Sequence, residues 1–202
     1  MKRLIIYIHG KGGSVDEAEH YRYLFPNDDV IGLNYSSQTP WDAKKEFAIF
    51  YDLQSKDHDE VILIANSIGA YFALNALGEK SISRAFLISP IVDMEKLITD
   101  MMMWENVTEQ ELFTRKEIPT KFGETLSWDY LCYVREHPIK WCIPTHIIYG
   151  GKDSLTSFDT VDAFAKSISA DLSIMKDGEH WFHTDEQMAF IDETIKNIIK
   201  ER

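Results

Sequence analysis

The chain has 202 residues and a formal net charge of -12, with 33 acidic against 21 basic side chains. That length suits one domain with a substantial core, and the acidic balance argues against nucleic acid as a partner, because phosphate binding needs basic patches. The two cysteines, Cys132 and Cys142, offer neither a disulfide framework nor a metal-type spacing, so a cytoplasmic location is expected. Met1-Lys2-Arg3 looks like the start of a secretion leader. The apolar run after it, Leu4 to Ile8, stops at His9-Gly10 and is too short for one, and no stretch could span a bilayer.

Leu4-Ile5-Ile6-Tyr7-Ile8 reads as a strand buried on both faces of a parallel sheet, and His9-Gly10-Lys11-Gly12-Gly13-Ser14 as the loop leaving it. Residues 16–25 are expected to form a helix ending before Pro26, and Val30 to Tyr35 a second strand. Thr39-Pro40 marks a helix start, a cap followed by a first-turn proline. Val61 to Asn66 is a third strand, Ile68 to Leu77 its helix, and Ala85 to Ile88 a fourth strand stopped by Ser89-Pro90.

The strand–helix alternation then breaks for a long insertion, residues 91–143. It contains Leu97-Ile98 and Met101-Met102-Met103-Trp104, a capping box at Thr108-Glu109-Gln110-Glu111, and a helix from Trp128 to Glu136. Alternation resumes with a strand at Thr145 to Tyr149, a helix opened by a capping box at Thr156-Ser157-Phe158-Asp159, a sixth strand at Leu172 to Met175, and a last helix capped by Thr184 with Gln187 three residues on. Six strands alternating with helices predict a parallel sheet covered on both faces, with ligands at the carboxyl edge.

Three residue types with complementary chemistry fall in loops at that edge. Ala65-Asn66-Ser67-Ile68-Gly69 is a small–x–Ser–x–Gly turn between a buried strand and a helix, which lifts the Ser67 hydroxyl above the strand end. Taken alone, Ser67 could equally be a helix cap. Asp153 follows Gly150-Gly151-Lys152, and His180 follows Asp177-Gly178-Glu179. A serine needs a base to take its proton, imidazole suits that task near neutral pH, and a carboxylate fixes the tautomer of the imidazole. His183 competes with His180 as the base, and Asp177 and Asp93 compete with Asp153 as the acid. His9 reads as a structural residue of its loop, and His20, His58, His137 and His146 as surface or core histidines. No His/Glu spacing supports a metal site, no cofactor is implied, and the Gly10–Ser14 loop lacks the spacing of a phosphate cradle.

On these residues and their order, Ser…Asp…His, the chain resembles the α/β-hydrolase family over nearly its whole length. The resemblance implies an α/β fold with a six-stranded parallel sheet, helices on both faces and a helical lid in the insertion. The first two of the family's eight strands are missing. It also implies that 1–202 form one domain, that Ser67, His180 and Asp153 are catalytic, and that the oxyanion is held by the backbone N–H of Ile68 and of Lys11 or Gly12. Ala65 stands where the family motif has its first glycine, and only a small side chain is required there. The implied activity is that of a serine hydrolase cleaving a carboxylic ester of a small-molecule acyl substrate without a cofactor. The same groups could serve a thioester, amide or C–C bond, or the fold could persist in a binding protein. Met101, Met102, Trp104 and Trp181 are read as pocket residues, with ordinary packing as the alternative, and the oligomeric state is left open.

Overall fold

The computed structural model describes residues 2–200. Met1, part of the leader-like start, and Glu201 and Arg202, at the end of the expected single domain, lie outside the described residues. Two compact units are present. One comprises the residues up to 92 and those from 140 onward, and the other comprises 93–139.

The first unit is built from β1 (Arg3–Ile8), a 3₁₀ helix (Val15–Tyr23), β2 (Asp29–Gly32), α1 (Pro40–Gln54), β3 (Glu60–Asn66), α2 (Ser67–Ala76) and β4 (Arg84–Ile88). The second unit contributes α3 (Met94–Trp104), α4 (Glu109–Arg115), β5 (Glu117–Pro119), β6 (Thr125–Ser127) and α5 (Trp128–Glu136). The chain then returns to the first unit with β7 (Thr145–Gly150), α6 (Phe158–Ser167), β8 (Asp171–Met175) and α7 (Asp185–Lys200).

The six strands of the first unit form one sheet in the order β2-β1-β3-β4-β7-β8. Every neighbouring pair is parallel. Register brings Ile8 beside Ala65, Asn66 beside Ile88 and Ile88 beside Ile148, so the central strands end level with one another at the carboxyl edge. Because side chains alternate across a strand, each central strand feeds two cores. On one face Ile5, Tyr7, Ile62, Ile64, Phe86, Ile88 and Ile148 pack with Ala18 and Tyr21 of the 3₁₀ helix and with Ile191 and Ile195 of α7. The residues pointing the other way, Leu4, Ile6, Ile8, Leu63 and Leu87, are equally buried, and α2 lies against β1, β3 and β4 and packs on α1.

Several elements differ from the sequence expectation. The helix expected over 16–25 is a 3₁₀ helix, and its apolar contacts explain why. Ala18, Tyr21 and Leu24 meet the core at a spacing of three, the period of that helix. Strand β2 ends at Gly32 rather than Tyr35. The 3₁₀ helix crosses so closely that a Cβ on Gly32 would lie 2.4 Å from the Val15 carbonyl oxygen. After one more ladder bond, from the Leu33 N–H to the Tyr7 carbonyl at 2.8 Å, the chain leaves the sheet. Helix α6 is capped by Ser157, which accepts from the Thr160 N–H, and not by Thr156. Within the second unit, β5 and β6 pair antiparallel, a hairpin the sequence did not announce.

His146 gives the fold a pH dependence. It is buried on β7, its Nε2 pairs with Ser173 Oγ at 2.8 Å, and its Nδ1 has no partner. Burial above all holds its pKa below the ordinary 6.5; Asp171 pulls the other way, and Arg84 adds a smaller push down. Below 6.5 the unfolded chain therefore takes up a proton that the folded chain refuses, and stability falls as the pH drops through that window. The His146→Gln variant should show a shallower loss of unfolding free energy between pH 6.5 and 5 than the wild type. Urea melts at several pH values would measure this, and equal slopes would contradict it.

Candidate active site

The elbow begins with backbone geometry. Strand β3 is buried along its length, and the chain reverses into α2 within one residue, Ser67, whose φ is 51°. L-residues avoid that left-handed region, so tight packing must impose it. Gly69 supplies part of the packing. A Cβ there would stand 2.2 Å from the His9 carbonyl oxygen and 2.9 Å from Ile8 Cγ2. Gly10 meets the elbow from the end of the neighbouring strand β1, where a Cβ would lie 3.1 Å from Ser67 Cβ. Ala65, in the other small position of the turn, is fully buried.

Helix α2 also lacks a side-chain cap, whereas α1, α3, α4, α5 and α6 each have one. The first-turn amides of α2, that of Ile68 among them, are thus not taken by a capping side chain, and the positive end of the helix faces the Ser67 side. In the adjoining loop the Gly13 N–H bonds the Gly10 carbonyl at 3.2 Å, with Gly12 in between at a φ of 74°. Tyr35 fixes the start of that loop. Its hydroxyl donates to the His9 carbonyl at 2.9 Å, and its ring stacks on the His9 imidazole at 4.4 Å.

Ser67 Oγ lies 2.7 Å from His180 Nε2, and His180 Nδ1 lies 2.7 Å from Asp153 Oδ2. The Asp153 side chain is 0% exposed and that of His180 14%. The buried carboxylate is satisfied on its other oxygen, where Oδ1 accepts the N–H groups of Leu155 and Thr156 at 2.8 and 3.0 Å. Such charge-assisted bonds are what permit a carboxylate to be buried. Burial, and next the Asp153 charge, raise the pKa of the nearby Tyr149 phenol, which donates to the Thr156 carbonyl.

The loops carrying Asp153 and His180 are laced together by their backbones. Gly151 and Lys152 donate to the carbonyls of Met175 and Gly178, each at 2.8 Å. A Cβ on Gly150 would lie 2.5 Å from the Gly178 carbonyl, and one on Gly151 2.4 Å from the Lys176 carbonyl. Phe182 anchors the far side in the core, with its ring edge 3.1 Å from where a Gly178 Cβ would stand.

The competing residues go elsewhere. Asp177 pairs with Lys152 on the surface, and Asp93 caps α3 through the Lys96 N–H. His183 stacks on Trp181 and keeps its Nδ1 at the Trp181 carbonyl. Of the four residues read as pocket-lining, Trp181 follows His180 in the first unit and is 68% exposed. Met101, Met102 and Trp104 lie on α3 of the second unit, where Met102 is buried and the ring of Trp104 meets Phe122 edge-on. Among the described residues no group of three or more His, Cys, Asp or Glu could hold a metal, and no helix is long and apolar enough to cross a membrane.

Comparison with solved structures aligns nearly all of the chain. Est1E from Butyrivibrio proteoclasticus matches over 99% of this chain and 88% of its own, with a TM-score of 0.77 at 16% identity. Alpha/beta hydrolase domain-containing protein 10 from mouse matches over 98% and 88%, with a TM-score of 0.74 at 16% identity. The chain has the α/β-hydrolase fold. A lipase-esterase related protein from Clostridium acetobutylicum shares this fold over 96% of the present chain and 93% of its own, with a TM-score of 0.66 at 17% identity. No family model matches the sequence, and no curated protein does either.

Sequence reasoning missed Tyr35, Tyr7 and Glu17 at this edge of the α/β-hydrolase sheet. Glu17 had a readable signal, since Ser14-x-x-Glu17 is a capping box, and both of its reciprocal bonds are present. The close approach at Gly69 yields a direct test. Gly69→Ala should destabilise the protein by about 1–3 kcal/mol, the usual range for overpacking, because the obstacle is backbone. Chemical denaturation would measure it, and a variant as stable as the wild type would show that the elbow has room.

Proposed function

We propose that the chain is a serine hydrolase that cleaves a carboxylic ester or related acyl bond through an acyl-enzyme. The observation that carries this reading is the continuous hydrogen-bonded run from Ser67 Oγ through His180 to the buried Asp153. Ser67 Oγ attacks the substrate carbonyl carbon while His180 Nε2 takes its proton. The carbonyl π electrons move onto oxygen, and that oxyanion is held by the Ile68 N–H and the N–H of Lys11 or Gly12. The intermediate collapses, the bond to the leaving group breaks, and His180 returns the proton to the departing oxygen. Water, deprotonated by the same imidazole, then attacks the acyl-enzyme and frees the acid and Ser67. Asp153 keeps the Nδ1 proton of His180 in place and stabilises the imidazolium. No step calls for a metal or a cofactor.

The acyl group proposed is small or medium and uncharged. Among the structural neighbours, Est1E has been determined with ferulic acid bound, so esters of aromatic acids belong beside p-nitrophenyl esters of rising chain length in the first substrate panel.

A fluorophosphonate probe should label Ser67, and Ser67→Ala should remove the label. Intact wild-type protein that stays unlabelled would sink the proposal. Asp153→Asn should lower kcat by about 10³–10⁴-fold, because an amide facing Nδ1 favours the wrong tautomer of His180. Steady-state kinetics on the best ester of the panel would read this, and a loss below tenfold would remove Asp153 from its role.

A further inference from the structure

The loop and the elbow that would hold the oxyanion are joined by a polar chain that the reaction itself does not use. Tyr7 is the one hydroxyl-bearing residue in the apolar run of β1, and it is 2% exposed. Its hydroxyl donates to Glu17 Oε2. The other carboxylate oxygen, Oε1, accepts the Ser14 N–H at 3.0 Å. The loop backbone rests on that same oxygen, since a Cβ on Gly13 would lie 2.6 Å from it.

The side-chain amide of Asn66, the residue before Ser67, lies near enough to the Tyr7 oxygen to draw its pKa down against the larger influences that raise it. Asn66 also borders the loop. Its carbonyl oxygen and side-chain Cγ lie 3.5 and 3.8 Å from where a Gly10 Cβ would stand. Close neighbours therefore run from the elbow through Asn66, Tyr7 and Glu17 to Gly13 and Ser14, with hydrogen bonds from Tyr7 onward. Burial, with Tyr21 and Glu17 adding to it, pushes the Tyr7 phenol far up, which keeps the hydroxyl a donor at any working pH.

A capping box explains only half of this. The cap needs Glu17 to accept the backbone N–H of Ser14, which one oxygen does. The second oxygen reaches past the helix end to a strand residue, which a cap does not require. A carboxylate is suited to the task because it can only accept, and it takes donors from two different elements at once.

We propose that Glu17, acting through Tyr7, is a positioning residue that fixes the separation between the 9–14 loop and the Ser67 elbow, and so the aim of the N–H groups on the oxyanion. This rests on the serine-hydrolase reading above. Donors of this kind work only when held at hydrogen-bond distance from the developing charge, and losing one outright typically costs about 10²–10³ in kcat. Misplacing one costs part of that.

The test compares wild type, Glu17→Ala, Glu17→Gln and Tyr7→Phe on p-nitrophenyl acetate, with folding checked by circular dichroism. Glu17→Ala should lower kcat by about 10–100-fold while KM stays within about threefold. Glu17→Gln should lose only a few-fold, because its amide oxygen still accepts from Ser14. Tyr7→Phe should lose about tenfold, and the double variant with Glu17→Ala should be no worse than Glu17→Ala alone, as expected for two members of one path. A trifluoromethyl ketone, which forms a tetrahedral oxyanion on the serine, should weaken in step with kcat/KM across the series.

Unchanged kcat in folded Glu17→Ala, additive losses in the double variant, or a ketone affinity that does not follow kcat/KM would each overturn the proposal. If Glu17→Ala does not fold, the Tyr7→Phe and Glu17→Gln pair decides by the same ketone comparison. A wild type that hydrolyses no ester of the panel overturns the serine-hydrolase reading and this inference together, whereas an active wild type with indifferent variants overturns this inference alone.

Discussion

Nothing in a serine favours a left-handed backbone, yet Ser67 has a φ of 51°. The cost is of the order of 1 kcal/mol, and it persists because the surroundings leave no relaxed alternative. Strand β3 cannot withdraw, because its side chains are buried on both faces. Helix α2 cannot swing away without opening the contact of Gly69 with the His9 carbonyl. The turn is tied on a further side, where the Ile91 N–H bonds the Ser67 carbonyl at 3.3 Å. The hydroxyl is thereby presented at the sheet edge by main-chain packing, with little left to side-chain freedom.

The same economy governs the partners of Ser67. His180 and Asp153 sit on loops that would ordinarily be mobile, and both loops are stiffened where they meet. Glycines at 150, 151 and 178 let two backbones approach more closely than side chains would allow, and hydrogen bonds close the gap. The Asp153 carboxylate is the product of that approach. It is out of water, with two backbone N–H groups on one oxygen and the imidazole on the other. A carboxylate so engaged has little reason to rotate, and His180 inherits its orientation from it.

Much of this could be read from the residues, for identifiable reasons. The strands of the sheet announce themselves because strands buried on both faces must be apolar throughout, as in Leu4 to Ile8 and Val61 to Ala65. Thr39-Pro40 and Trp128 to Glu136 were legible because caps and first-turn residues are local chemistry. What escaped notice depended on distant contacts. The β5–β6 hairpin has three-residue strands, Glu-Ile-Pro and Thr-Leu-Ser, with a single buried side chain each, too little for any periodicity to show. Thr156 reads as well as Ser157 for a cap, but its N–H is bonded to Asp153 and its carbonyl to Tyr149, while Ser157 accepts the Thr160 N–H. Tyr7 looked like one more member of an apolar strand, since nothing local says that its hydroxyl meets a carboxylate ten residues on.

One consequence follows from where the second unit enters and leaves the chain. It is spliced between β4 and β7, which are direct parallel neighbours in the sheet. Parallel neighbours cannot be joined by a tight turn, because the chain must travel back the length of a strand, which takes about a dozen residues or more. The segment 93–139 is therefore also the return path of the sheet. Evolution or an engineer can trade it for another of different size and surface, but cutting it out altogether leaves only residues 89–92 and 140–144 to make that return.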